Sequence, residues 1–310
     1  MAPSLCFQLH TCSQLGCIAA AKAAAPSSVA TANRTLSPFL RLRRPFLHSF
    51  CVRLGPSAEV FEPQHLRSPE LVALEYADLN LPHRIFEDSG HVRIRQHVNP
   101  LSSSFAVPAP APNWNEVFKD PTLPLMVDIG SGSGRFLLWL AKRHLDMRNF
   151  LGLEIRHKLV KRADIWVKEL GLSNVHFMFA NATISFKQII SSYPGPLMLV
   201  SILCPDPHFK KRHHKRRVVQ KPLVESIVDS LTPGGQVLIQ SDVLEVAVDM
   251  RLWFDSEADV LKHIDVLDPS VLCDEDGWLL NNPMGIRTER EIHAESEGAK
   301  IYRRMYQKFT

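Results

Sequence analysis

An α/β protein with a doubly wound parallel sheet is the fold class this chain predicts, and two observations carry the expectation. Five short β-like runs recur between residues 125 and 240, separated by amphipathic stretches of helix length, the alternation that βαβ units require. A glycine-rich turn, Gly130-Ser131-Gly132-Ser133-Gly134, follows the first run and opens a helix-like segment. The runs are LMVDI from Leu125, FLGLE from Phe150, VHFMF from Val175, LMLVSIL from Leu197 and QVLIQ from Gln236. Gly171 marks the end of the second helical stretch, and Pro233-Gly234-Gly235 reads as a turn before a strand. Residues 302–309 give a weaker strand pattern, because bases and aromatics are mixed there.

Upstream of these units the composition changes. Residues 1–58 contain no Asp or Glu but carry Lys22, Arg34, Arg41, Arg43, Arg44 and Arg53, which leaves the rest of the chain slightly acidic although the whole is +4. An acid-free, Ala- and Ser-rich basic leader reads as an organelle transit peptide, with the chloroplast as the expected destination and the mitochondrion as the alternative. A plain disordered tail is the bland reading. The apolar patch at residues 18–25 is short and interrupted by Lys22, so no membrane span or secretory signal is expected. Residues 59–112 read as an N-terminal extension. It holds a helical pattern over residues 68–79, a basic arm with Arg93 and Arg95, and a stiff proline-rich linker at residues 108–112. Residues 113–310 form the main domain. Four of the six cysteines lie in the leader, leaving Cys204 and Cys273, too few for a disulfide framework or a zinc cage. No metal ligands are expected.

The glycine turn sets the cofactor question. A dinucleotide fingerprint would require glycine at position 135, where the chain has Arg135, and no Walker lysine follows. The observed GxGxG, with Asp128 two residues ahead and Glu154 ending the next run, resembles the class I S-adenosylmethionine methyltransferases. That resemblance implies a Rossmann-like, mostly parallel seven-stranded sheet with helices on both faces. It places Gly130, Gly132 and Gly134 in the cofactor loop, Asp128 near the methionyl ammonium, and Glu154 on the ribose hydroxyls. Asn181-Ala182 would stand against the adenine amino group. Helix capping is the plain reading of Asn181, and a solvated strand end that of Glu154.

A second segment carries the chemistry of the acceptor. In Cys204-Pro205-Asp206-Pro207-His208-Phe209, two prolines stiffen the chain around one carboxylate, and six cationic side chains crowd residues 210–217. The run from Leu197 delivers Asp206 to a strand's carboxyl end, where open α/β sheets bind ligands. A capping acid beside a solvated basic face is the alternative. Lys211, Arg212, Lys215, Arg216 and Arg217 are expected to contact phosphates, giving affinity without base reading.

The stretch PDPHFKKRHHKRRVVQ resembles the signature of the tRNA (guanine-N7-)-methyltransferase family. The resemblance spans residues 88–308 and includes GIRTEREIH at residues 285–293. It implies that Asp206 is the active-site acid, bordering both cofactor and guanine, and that Lys210 and Asp242 bind substrate. Thr288 and Glu291 correspond to the family's Thr-x-x-Glu, with Arg290 where an aromatic is common, although Thr-x-x-Glu is also a capping box. For Asp242 the competing reading is helix N-capping. His208-Phe209 resembles the nuclear enzymes, whereas the basic run resembles the bacterial type. With the leader, the chain looks like the plant organellar member, acting on tRNA without the β-propeller partner that nuclear relatives need. Two rivals remain: a nucleic-acid amino-methyltransferase, which would use a DPPY-like motif, and a non-catalytic RNA-binding protein.

Overall fold

A computed structural model of the chain describes residues 66–81 and 98–309. The leader at residues 1–58, together with Arg93 and Arg95, lies outside the described residues. All described residues belong to one compact unit.

Seven strands form one sheet: β1 (Leu125–Ile129), β2 (Asn149–Glu154), β3 (Val175–Phe179), β4 (Leu197–Leu203), β5 (Leu231–Ser241), β6 (Leu261–His263) and β7 (Tyr302–Lys308). Their order is β3-β2-β1-β4-β5-β7-β6. Neighbours pair in parallel except at β7, which runs antiparallel to both β5 and β6. β1 and β2 are buried along their whole length, which explains their near-continuous apolar sequence: helices cover both faces.

The helices are α1 (Ser68–Glu75), α2 (Trp114–Val117), α3 (Arg135–Arg143), α4 (His157–Glu169), α5 (Ala182–Ile190), α6 (Lys221–Ser230), α7 (Leu244–Asp255), α8 (Ile264–Leu267) and α9 (Glu289–Ser296). One core cluster joins α3, α4 and α9 to one face of the sheet through Leu137, Trp166 and Ile292. A second cluster joins α5, α6 and α7 to the other through Phe186, Ile227 and Phe254.

Three local expectations are revised. The stiff proline-rich stretch is docked rather than spanning as a linker, because Ala109 donates its N–H to Ser185 Oγ at 3.0 Å and packs against the second cluster. Pro233-Gly234-Gly235 lies inside β5 as a register shift, since Leu197 pairs with Leu231 while Leu199 pairs with Gln236. β7, faint in the sequence, is a full interior strand. Its arginines hid it, for Arg303 and Arg304 are buried and paired with Glu291 and Asp265 rather than solvated.

Candidate active site

β1 and β4 are parallel neighbours whose following helices, α3 and α6, go to opposite faces of the sheet. The gap this leaves at their carboxyl ends is the ligand crevice of such sheets. Two adjoining recesses open there, of about 900 Å3 and 120 Å3, sharing Gly130, Arg156 and Cys204 in their walls. The larger recess takes in Asp128, Gly132 and Thr288, and the smaller one Glu154, Asn181, Ala182, Asp206 and Arg216. Residues scattered over the sequence thus meet at one sheet edge.

Gly130, Gly132 and Gly134 all have positive φ, at 85°, 56° and 86°, a region that penalises any side chain with a Cβ. Their uses differ. A Cβ on Gly130 would meet nothing within 4 Å, so this position leaves room for a ligand. A Cβ on Gly134 would come within 2.9 Å of Ala163 and Phe177, which makes that glycine a packing requirement between α3, α4 and β3. Gly130 and Gly132 line the larger recess, while Gly134, at the end of the same loop, is held by this packing.

Glu154 is buried, and its carboxylate accepts four hydrogen bonds. Two come from the backbone, Gly132 N and Arg156 N, each at 2.9 Å. The others come from the Arg156 guanidinium, Nε to Oε1 at 2.8 Å and Nη2 to Oε2 at 3.2 Å. Four bonds fill the carboxylate's lone-pair sites. The guanidinium fork presents two donors side by side, as a ribose diol does. Arg156 also lies within electrostatic reach of Asp206. The sequence reading missed this arginine; the available signal was the Glu-x-Arg spacing at the strand end.

Asn181 sits at the N-cap of α5 but makes no capping bond. Its Nδ2 donates instead to Pro100 O at 3.1 Å and Phe105 O at 3.2 Å. With both donors spent on this strap, Oδ1 is the atom left to accept, which fits an adenine amino group. Asp128, also buried, accepts from Ser201 Oγ at 2.6 Å across the β1–β4 register. Burial pushes its carboxyl up to about 7, with the Ser201 bond opposing and the Glu154 charge adding. A methionyl ammonium in the larger recess would favour the ionised form. The donor set therefore fits adenosylmethionine.

The segment around Asp206 is set by backbone geometry. Cys204 and His208 are left-handed, at φ 50° and 47°, although neither is glycine. Each such residue costs about 1 kcal/mol, offset by contacts beneath the loop. Arg217 supplies them: Nε donates to Pro207 O at 2.9 Å, Nη1 to Asp249 at 3.0 Å and Nη2 to Glu245 at 2.7 Å. Its side chain is only 5% exposed. The expected phosphate contact by Arg217 is therefore corrected, because its guanidinium is committed to α7. The signal was Glu245 and Asp249, four residues apart on one helix face. Lys210, Lys211, Arg212 and Lys215 are exposed, and Arg216 is half-buried beside Asp206. Burial pushes the Cys204 thiol up to about 12, which favours the neutral thiol.

On the far wall, Thr288 and Glu291 form a capping box, with Thr288 Oγ1 accepting from Glu291 N and Glu291 Oε2 from Thr288 N, both at 3.2 Å. Glu291 is 1% exposed and also binds Arg303, Gln240 and Asn282. Direct substrate contact by Glu291 is corrected on that ground: its carboxylate is consumed within the protein. Thr288 still borders the larger recess. Asp242 does not cap α7, whose N-cap is Val243; it pairs with Arg290 at 2.5 Å and 3.1 Å. The neighbouring Glu289 holds Arg135 at 2.6 Å and Ser133, tying α9 to the glycine loop. Among the described residues there is no cluster of three or more His, Cys, Asp or Glu that could hold a metal, and no helix is long and apolar enough to cross a membrane.

This strand order, its single antiparallel strand, and the glycine turn facing an acid at the end of β2 define a class I methyltransferase fold. Comparison with known proteins agrees. Residues 122–304 match a family model described as "Putative methyltransferase". The chain is 49% identical over 214 residues to a tRNA (guanine-N(7)-)-methyltransferase of Synechococcus sp. (strain JA-2-3B'a(2-13)), covering 69% of this chain and 83% of that protein. It is 44% identical over 217 residues to the protein of that name from Synechocystis sp. (strain ATCC 27184 / PCC 6803 / Kazusa), covering 70% and 98%. The chain belongs to the tRNA (guanine-N7-)-methyltransferase family.

Arg217→Ala is expected to destabilise the protein by about 2–3 kcal/mol in urea unfolding, less than for a fully buried pair because Glu245 is exposed. Asp128 titrates near 4 in an unfolded chain, so the folded state holds its proton between about pH 4 and 7. Its contribution to stability falls as pH rises through that window. Asp128→Asn is thus expected to raise the melting temperature at about pH 8 while weakening adenosylmethionine binding. It should also flatten the rise in affinity between about pH 6 and 8, as calorimetry would show.

Proposed function

We propose that this protein transfers a methyl group from S-adenosylmethionine to N7 of a guanosine in the variable loop of tRNA, forming 7-methylguanosine. The observation that carries the reading is the sharing of one recess by Gly130, Glu154, Asn181 and Asp206, with an exposed cation strip beginning four residues after that aspartate. The family of the matched relatives supports the same assignment. A pure RNA-binding protein has no use for the donor-side residues. An amino-methyltransferase would carry a second proline directly after Pro207, where this chain has His208.

When bound, adenosylmethionine supplies a sulfonium methyl whose carbon accepts the N7 lone pair while sulfur keeps the electrons of the broken bond, and the purine gains the positive charge. Guanine N7 carries an in-plane lone pair and no proton, so the protein needs no general base. Its contribution is alignment and charge complementarity. Asp206, rigidly presented between two prolines, orients the base and favours the cationic product. Glu154 holds the ribose side and Asn181 the adenine side. Lys210, Lys211, Arg212 and Lys215 engage backbone phosphates, with Arg216 reaching toward the target nucleotide. Thr288 borders the larger recess, and Asp242 stands behind it through its pair with Arg290, which lines the same wall; both are assigned to the substrate side.

Localisation and assembly belong to the same proposal. The acid-free basic leader supports import into plastids, with mitochondria as the alternative, and the bacterial-type basic run supports action without a β-propeller subunit.

Asp206→Ala is expected to lower methyl transfer by roughly 10²–10³-fold while largely retaining adenosylmethionine affinity. Mass mapping of 7-methylguanosine in tRNA incubated with the purified protein reads the outcome, and full transfer by the variant would remove the assignment. A reporter carrying residues 1–58 should enter plastids; a diffuse cytosolic signal would contradict the leader reading.

A further inference from the structure

The first described helix lies outside the stretch that the family model matches, yet it forms part of the larger recess. Val72, Ala73, Tyr76 and Ala77 line that recess together with Asp128 and Gly132. Their spacing puts them on one side of the chain across α1 and the turn after it, whereas Leu74, 63% exposed, is not part of that lining.

This segment is docked, not loosely laid. Leu79, in the short turn Ala77–Leu79, is fully buried in the cluster that holds Phe136 and Leu140 of α3. The Tyr76 hydroxyl donates to Arg287 O, and Arg287 Nη2 donates to Glu75 at 2.5 Å. At the other end Lys142 Nζ donates to Asp78 O at 2.6 Å, and Arg143 pairs with the Asp78 carboxylate at 2.5 Å. Glu70 pairs with Arg67. Every acid of the segment is thus matched to a cation, and the lining side chains are apolar apart from the Tyr76 hydroxyl and the polar ends Ser68 and Asn80.

We propose that residues 68–81 are a roof of the methyl-donor site, whose apolar side covers the methionyl end of bound adenosylmethionine. The smaller recess, with Asn181 and Glu154, takes the adenosine side, so the methionyl end falls in the larger recess beside Asp128. Covering it with apolar side chains excludes water and strengthens the attraction between Asp128 and the methionyl ammonium. It also slows release of the donor and of its demethylated product. The inference rests on the donor-site assignment, not on which RNA is the acceptor.

The test uses the full chain and the donor alone. Ala73→Trp puts an indole into the recess without touching an anchor and is expected to weaken adenosylmethionine binding by about tenfold or more in calorimetry. Leu74→Trp, one residue away but off the lining, should leave affinity unchanged; both variants should melt as the parent does. Tyr76→Phe, which removes only the tie to Arg287 O, should speed dissociation of S-adenosylhomocysteine several-fold in stopped flow. Parental affinity in Ala73→Trp, or equal losses at positions 73 and 74, would overturn the proposal, as would unchanged release from Tyr76→Phe.

Discussion

A parallel sheet leaves a gap wherever two neighbouring strands send their chains to opposite faces, and in this protein those strands are β1 and β4. Everything functional hangs from that gap. The glycine turn leaves β1 and the Pro-Asp-Pro loop leaves β4, so two segments some seventy residues apart in sequence face each other across one strand spacing. Asp128 and Ser201, paired in register, bond across the floor. An acid placed there is desolvated by the sheet itself, which favours its neutral form.

Charged side chains play two distinct parts around this gap. Some face the solvent, as Lys210, Lys211, Arg212 and Lys215 do. Others are buried pins. Arg217 joins the backbone of the Asp206 loop to α7, and Glu291 joins the capped start of α9 to Arg303 of β7 and Gln240 of β5. Burying charge is costly unless every donor and acceptor is matched, and these networks meet that condition for the loops that border the recesses. The left-handed backbone at Cys204 and His208 is sustained by the same scaffold.

Arg156 bridges the two halves of the site. Its guanidinium satisfies Glu154 while lying within reach of Asp206, so acids from the ends of two different strands share one cation.

The sequence by itself determined the sheet class, the glycine turn, the acid at the end of β2 and the Pro-Asp-Pro loop, because each is a local signal: periodic apolarity, a need for positive φ, or proline stiffness at a fixed spacing. Tertiary structure decided which cations are free and which are pins. Lys215, Arg216 and Arg217 are adjacent bases in the sequence, yet the first is exposed, the second borders the recess, and the third is sealed under the loop by Glu245 and Asp249. Likewise Thr288 and Glu291 carried two meanings until Arg303 was placed beside the glutamate, and β7 was faint because its buried arginines look like surface. The reason is physical: a charge reveals its role only through its partner, and partners such as Arg303 and Gln240 lie far apart in the chain.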